Sequence, residues 1–90
     1  MFQLIFTDSY RKKEKGFIKK HPNLKERYKK TLVLLMEDPH HAGLRLHKLQ
    51  GKLYQYYSIS ISMNYRIILD LIIDDKEIIL LDICSHDEVY

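Results

Sequence analysis

Apolar and polar residues change their period twice along this chain. Residues 2–6, Phe-Gln-Leu-Ile-Phe, form a short β-prone run, and Thr7, Asp8 and Ser9 behind it are residue types that cap a helix N-terminus. Over residues 10–20 the apolar positions Tyr10, Phe17 and Ile18 mark one narrow stripe among Arg11, Lys12, Lys13, Lys15, Lys19 and Lys20. His21-Pro22 ends that helix, because the residue before a proline is pushed out of the α region, while Pro22 suits the first turn of the next helix. In this second helix Leu24, Tyr28, Leu32, Leu35 and Met36 recur at i, i+4, i+8, i+11 and i+12, and Asp38-Pro39 closes it. The first third of the chain therefore predicts a strand and a helical hairpin with an apolar inner face.

A polar link through His40, His41 and Gly43 leads into β-branched and aromatic residues with a period of two. Over residues 53–61, Leu53, Tyr57, Ile59 and Ile61 share one face and Tyr54, Tyr56, Ser58 and Ser60 the other, with Ser62-Met63-Asn64 as the turn. Strands are expected over residues 65–73 and 77–84, joined by Asp74-Asp75-Lys76 in an antiparallel hairpin. Ile67, Leu69, Leu71 and Ile73 are expected under the helices together with Ile79, Leu81 and Ile83. The order β-α-α-β-β-β predicts an α+β fold, a mainly antiparallel sheet with the N-terminal helical hairpin packed on one face. The opposite face, carrying Ser58 and Ser60, is the candidate working surface.

Composition narrows the class. The 90 residues hold apolar surface for one core, so residues 1–90 read as a single domain. At 46% apolar and 30% charged residues the chain is too hydrophobic for disorder, and it has no apolar run long enough to span a bilayer. Cys84 is the single cysteine and cannot form an internal disulfide, and Met1-Phe2-Gln3 lacks the plan of a secretory signal, so the expected location is the cytoplasm with no membrane partner. The net charge of +3 conceals a split: residues 1–66 carry 14 Lys or Arg against 5 Asp or Glu, a balance of +9, whereas residues 67–90 carry 1 against 7, a balance of −6. Ten of the twenty residues from 11 to 30 are basic, which is either a solvated helix face or the footprint of a polyanion.

Metal, phosphate-loop and dinucleotide fingerprints are lacking, so neither a metal nor a cofactor is expected. His40-His41 reads first as a solvated pair in a loop, and Cys84 as a small buried hydrophobe. The informative residues are His47, Lys48 and Lys52 before the first long strand, Asn64, Tyr65 and Arg66 at the hairpin, and His86 and Tyr90 after the last strand. Imidazole titrates near neutrality and a guanidinium stays charged. Two histidines round an arginine can thus supply what metal-free RNA cleavage needs: a base for the ribose 2′-OH, an acid for the leaving 5′-oxygen and a fixed cation for the phosphorane. The plainer reading makes the histidines ordinary surface residues and pairs Arg66 with a carboxylate such as Asp70. Tyr54, Tyr56 and Tyr57 suit base stacking or simply sheet packing.

The runs Leu46-His47-Lys48-Leu49-Gln50-Gly51-Lys52-Leu53, Tyr56-Tyr57-Ser58-Ile59-Ser60-Ile61, Asn64-Tyr65-Arg66-Ile67-Ile68 and Ser85-His86-Asp87-Glu88-Val89-Tyr90 resemble the RelE/ParE superfamily of bacterial toxins. His47 and the Ser85–Tyr90 run are nearest its RelE and YafQ-like branch. The resemblance covers residues 44–90; the N-terminal half agrees in layout and length. It implies the toxin of a type II toxin–antitoxin pair, a ribosome-dependent mRNA endoribonuclease whose partners are a cognate antitoxin, mRNA and the ribosome, with a toxin–antitoxin heterotetramer as the assembly. It also implies catalytic roles for four residues: His47 and His86 in acid–base work, Arg66 on the scissile phosphate and Tyr90 at the 2′-OH. Lys48, Lys52, Asn64 and Tyr65 are the implied substrate contacts. Where relatives carry lysines, a histidine or an aspartate, this chain has Ser58, Ser60 and Asn64, so part of the transition-state stabilisation is either missing, with weaker or differently selective cleavage, or supplied from elsewhere, as by Lys48 or Lys52. The alternatives are a ParE-like inhibitor of DNA gyrase without RNase activity, or an inactive toxin fold that only binds its antitoxin.

Overall fold

In the computed structural model, which describes residues 1–53 and 55–89, five strands form one sheet in the order β1-β5-β4-β3-β2. Strand β1 (Gln3–Phe6) leads into α1 (Asp8–Lys20), a single turn at Pro22–Leu24 and α2 (Lys25–Glu37). Strands β2 (His47–Lys48), β3 (Tyr57–Ser60), β4 (Tyr65–Ile72) and β5 (Glu77–Ser85) follow, and one helical turn, α3 (His86–Val89), comes after β5. The pairings β2–β3, β3–β4 and β4–β5 are antiparallel, whereas β1 lies parallel to β5 with Gln3 opposite Glu77 and Phe6 opposite Leu80. The helical hairpin is thus part of the long crossover that a parallel neighbour requires.

The capping signal after β1 acts as its residue types suggest. Thr7 Oγ1 accepts the Tyr10 N–H at 3.2 Å and donates to the Leu80 carbonyl at 3.0 Å, so one hydroxyl starts α1 and fastens it to β5. Tyr10 and Phe17 are the buried residues of α1, and Tyr28, Thr31 and Leu35 those of α2. The α1 stripe looks narrow in sequence because Glu14 occupies its middle. That carboxylate accepts the Tyr28 hydroxyl at 2.7 Å, and Tyr28 in turn lies 2.7 Å from the Tyr10 hydroxyl. With the Tyr28 proton committed to Glu14, Tyr10 is the donor in the second bond. A polar chain therefore links the two helices inside their apolar contact.

The structure corrects four strand expectations. The strand expected over residues 53–61 is shorter, at Tyr57–Ser60, because Gly51–Leu53 forms a single 3-10 turn. His47-Lys48, expected in the approach to that strand, is itself a strand, with His47 opposite Ser58 and Lys48 opposite Tyr57. Leu49 extends the contact by donating to the Tyr56 carbonyl at 3.0 Å. In β5 the buried core residues are Ile78, Leu80 and Ile83 rather than Ile79, Leu81 and Ile83. The cause is a bulge: Ile68 stands opposite Asp82 but Leu69 opposite Leu80, so Leu81 is an extra residue and the inward parity changes across it. Ile73, expected in the core, is exposed at the turn.

The main core joins these strand residues to Tyr10, Phe17, Tyr28, Leu35 and Leu44 under the helices. A smaller cluster of Leu49, Ile68 and Cys84, with Tyr56 and Leu81 against it, occupies the other face of the sheet. Cys84 is thus buried among apolar side chains, and the face expected to be polar is partly covered. No helix among the described residues is long and apolar enough to cross a membrane.

Candidate functional site

The polar end of the outer face is built round Arg66. Alternation from the buried Ile67 turns Arg66 away from the helices, and its cross-strand neighbours Ser60 and Cys84 share that face. Arg66 Nε donates to Ser58 Oγ at 3.2 Å and Nη2 to the Arg45 carbonyl at 3.1 Å. Both acceptors are neutral, so they orient the guanidinium without neutralising it. Asp70 lies four residues further along β4, about 13 Å away at the usual strand rise, and stands opposite Ile79. The pairing of Arg66 with Asp70 is therefore excluded.

The register carries His47 to the same place. Ser58 stands opposite both His47 on β2 and Ile68 on β4, so His47, Ser58 and Arg66 point to one side of the sheet. The third member arrives from the end of β5, where the His86 amide donates to the Asn64 carbonyl at 2.7 Å. This main-chain bond folds the segment after β5 back onto the β3–β4 turn. His47, Arg66 and His86 then line one open cleft of about 440 Å³, completed by Arg45 and Leu46. Both histidines are exposed, whereas Arg66 is only 8% exposed.

The remaining sequence candidates are placed differently. Lys48 follows His47 on β2 and so points to the opposite side of the strand; it and Lys52 are exposed and do not line the cleft. Asn64 contributes its carbonyl to the His86 amide. Tyr65 lies on the helix side, 5.3 Å from Phe17 and 4.6 Å from His21 between ring centres. Tyr90 and Tyr54 lie outside the described residues. Among the described residues no group of three or more His, Cys, Asp or Glu side chains could hold a metal ion.

Two contributors escaped the sequence reading. Ser58 is wholly buried and serves as a rest for the Arg66 guanidinium, so the serine in place of a charged residue is a scaffold element. Arg45 follows the 3-10 turn Ala42–Leu44, which His41 caps by accepting the Gly43 N–H on Nδ1 at 3.0 Å. Arg45 adopts a left-handed conformation, φ 53° and ψ 51°, and its carbonyl meets Arg66. The signal available in sequence was the Gly43-Leu44-Arg45 break in the polar link, but nothing in it reveals a left-handed arginine.

Comparison with solved structures identifies the architecture. YafQ from E. coli strain BL21(DE3) superposes with a TM-score of 0.79 at 18% identity, covering 100% of this chain and 99% of that one. The chain has a RelE/ParE-type toxin fold. A YoeB/ParE toxin from Agrobacterium tumefaciens matches with a TM-score of 0.75 at 14% identity, over 94% of this chain and 99% of the other. A chain of the E. coli DinJ-YafQ complex matches with a TM-score of 0.78 at 18% identity, over 100% and 99%. No family model matches the sequence, and no curated protein matches it. The fold expected from the resemblance is thus present, at 14–18% sequence identity to these structures.

Proposed function

We propose that this chain is the toxin of a type II toxin–antitoxin pair and cleaves mRNA on the ribosome by metal-independent acid–base chemistry. The observation that carries the reading is the convergence of His47, Arg66 and His86 on one cleft from three separate parts of the sequence. One imidazole takes the proton of the ribose 2′-OH, whose oxygen attacks the adjacent phosphorus. Arg66, held by Ser58 and Arg45, stabilises the charge that gathers on the phosphorane oxygens. The second imidazole protonates the departing 5′-oxygen, leaving a 2′,3′-cyclic phosphate and a 5′-hydroxyl. Tyr90, by family analogy, orients the 2′-OH, and Asn64, whose carbonyl holds the His86 amide, is the analogous contact beside the cleft, whereas Lys48, Lys52 and Tyr65, expected as contacts, do not line it. The cleft is shallow and open, which suits a substrate presented by a larger body.

The matching DinJ-YafQ structures are toxin–antitoxin complexes, which supports a cognate antitoxin as the protein partner here; the heterotetramer is the assembly that the family resemblance implies. The sequence split supports the same reading, since the +9 region offers a surface for an acidic protein segment as well as for RNA. Inducible expression tests the proposal. Wild type should arrest growth and cut translated mRNA, leaving 2′,3′-cyclic phosphate and 5′-hydroxyl ends. His86→Ala should slow cleavage by about 10²–10⁴-fold, the usual worth of one acid–base group. Because His47 and His86 are both exposed, the double alanine variant keeps its core and should be harmless. Growth arrest that survives the double substitution sinks the mechanism, and arrest with intact mRNA and blocked gyrase supercoiling selects the ParE-like reading instead.

A further inference from the structure

A second, larger cleft adjoins the candidate site. It has a volume of about 500 Å³ and lies between α2 and the β3–β4 turn, with Arg27, Lys30 and Thr31 on the helix side and Ser60 and Ser62 on the other. Arg45 lines both this cleft and the one that holds His47, Arg66 and His86. Three cationic side chains, Arg27, Lys30 and Arg45, stand in its described lining, which has no acidic residue. Such a surface draws a polyanion backbone.

The way Arg45 is held explains why the two clefts meet. A left-handed backbone is uncommon for any residue with a Cβ and persists only where the surroundings fix it. Here the His41-capped turn fixes it on one side, with the Arg45 amide donating to the Ala42 carbonyl at 3.2 Å. The Arg66 guanidinium fixes it on the other. The conformation turns the carbonyl of Arg45 towards the candidate catalytic cleft while its side chain stays exposed on the wall between the two.

We propose that the cleft between α2 and the β3–β4 turn seats the RNA backbone flanking the phosphate on Arg66, with Arg45 as the residue over which the strand passes from one cleft to the other. This rests on the RNA-cleaving reading given above and adds a route for the substrate. The apolar part of the lining, Leu34, Ile61 and Met63, gives the sugars or a base a wall to lie against, while Arg27 and Lys30 take phosphates. An acidic peptide is the competing occupant. Continuity with the phosphate-binding arginine favours RNA.

The test measures binding of uncleavable 2′-O-methyl oligonucleotides by fluorescence anisotropy, using the full chain. Arg27 and Lys30 are both exposed on α2, and alanine is the best helix former, so an Arg27→Ala, Lys30→Ala variant keeps its fold. An octanucleotide should bind the variant roughly tenfold more weakly, and the slope of log affinity against log salt should fall by about 1.4, the loss of two single-strand phosphate contacts. A dinucleotide long enough only for the Arg66 cleft should bind wild type and variant alike. Arg45→Gly, which keeps the left-handed backbone at no steric cost, should weaken the octanucleotide and spare the dinucleotide, whereas Arg45→Lys should restore most of the affinity. Equal octanucleotide affinity for wild type and the Arg27/Lys30 variant overturns the route and leaves the cleavage reading standing. An oligo-glutamate peptide that loses affinity for the variant while RNA does not also overturns it, assigning the cleft to protein. Wild type that binds neither oligonucleotide also overturns the route, while the cleavage reading stands or falls on the expression experiment above.

Discussion

Tyr28 carries the most consequential hydroxyl in the helical hairpin, because it donates to Glu14 and receives the Tyr10 proton in a place with little water. Removing it in Tyr28→Phe strands the buried Tyr10 donor and leaves Glu14 with Arg11 alone on its other oxygen, and should cost about 1–3 kcal/mol in urea unfolding. Tyr10→Phe leaves the Tyr28–Glu14 bond in place and should cost about 0.5–1.5 kcal/mol. Burial, first of all, pushes both phenols above their ordinary range. The folded state therefore keeps protons that the unfolded state releases from about pH 10 upward. Stability is fully present below that pH and declines as pH rises towards the folded values, which urea midpoints at about pH 8 and about pH 11 should show. Tyr28→Phe should flatten the decline. Glu14 reads in sequence as one more solvated charge in a basic helix, since a lone carboxylate between Tyr10 and Phe17 does not announce the tyrosine from another helix that meets it. Ser58 was equally opaque: its residue type suggested a loss of charge, and only the register of three strands shows it supporting Arg66.

At the scale of elements, the bulge at Leu81 decides which side of β5 is the core. Ile78 is fully buried in the main cluster, while Ile79 is half-buried on the other parity. Ile78→Ala should thus cost about 2–5 kcal/mol, and Ile79→Ala no more than about 1–2 kcal/mol, measured by denaturant titration. Equal costs would contradict the register. The helices, the strand near residue 5 and the β4–β5 hairpin were all legible, the helices from their apolar spacing with the Thr7 and Pro22 signals, the strands from runs of β-prone residues and the Asp74-Asp75-Lys76 turn. The bulge was not, because an inserted residue leaves the string of Ile and Leu in β5 unbroken and only exchanges which of them face inward. Strand β2 was also illegible: two residues give no period, and His47 joins the sheet through its partner Ser58 rather than by propensity. The candidate site was half legible for the same reason. His47, Arg66 and His86 stand out by residue type, but their convergence depends on the pairing of β2 and on one main-chain bond from His86 to Asn64.

Across the whole molecule, the charge split noticed in sequence becomes a direction in space. Arg66 is the second residue of β4, the strand's far end at Ile72 is about 20 Å away by strand rise, and the exposed Asp74 and Asp75 lie in the turn beyond it. The cationic helices and clefts stand against an acidic hairpin tip. Affinity for single-stranded RNA should accordingly drop steeply and linearly in log–log plots as salt rises, while neutralising Asp74 and Asp75 with asparagine should leave the slope nearly unchanged, since both lie beyond a Debye length of the clefts. The parallel pairing of β1 with β5 has a different kind of consequence. Strand β1 leaves a translating ribosome well before its partner Glu77–Leu80, and the cleft has its third wall only once His86 has followed. A partly synthesised chain thus exposes Leu4, Phe6 and the inner faces of both helices with no floor beneath them, and holds Arg66 without its second histidine. For a protein proposed to cut messages on the ribosome, the order of synthesis itself keeps the weapon unloaded until His86 has been made.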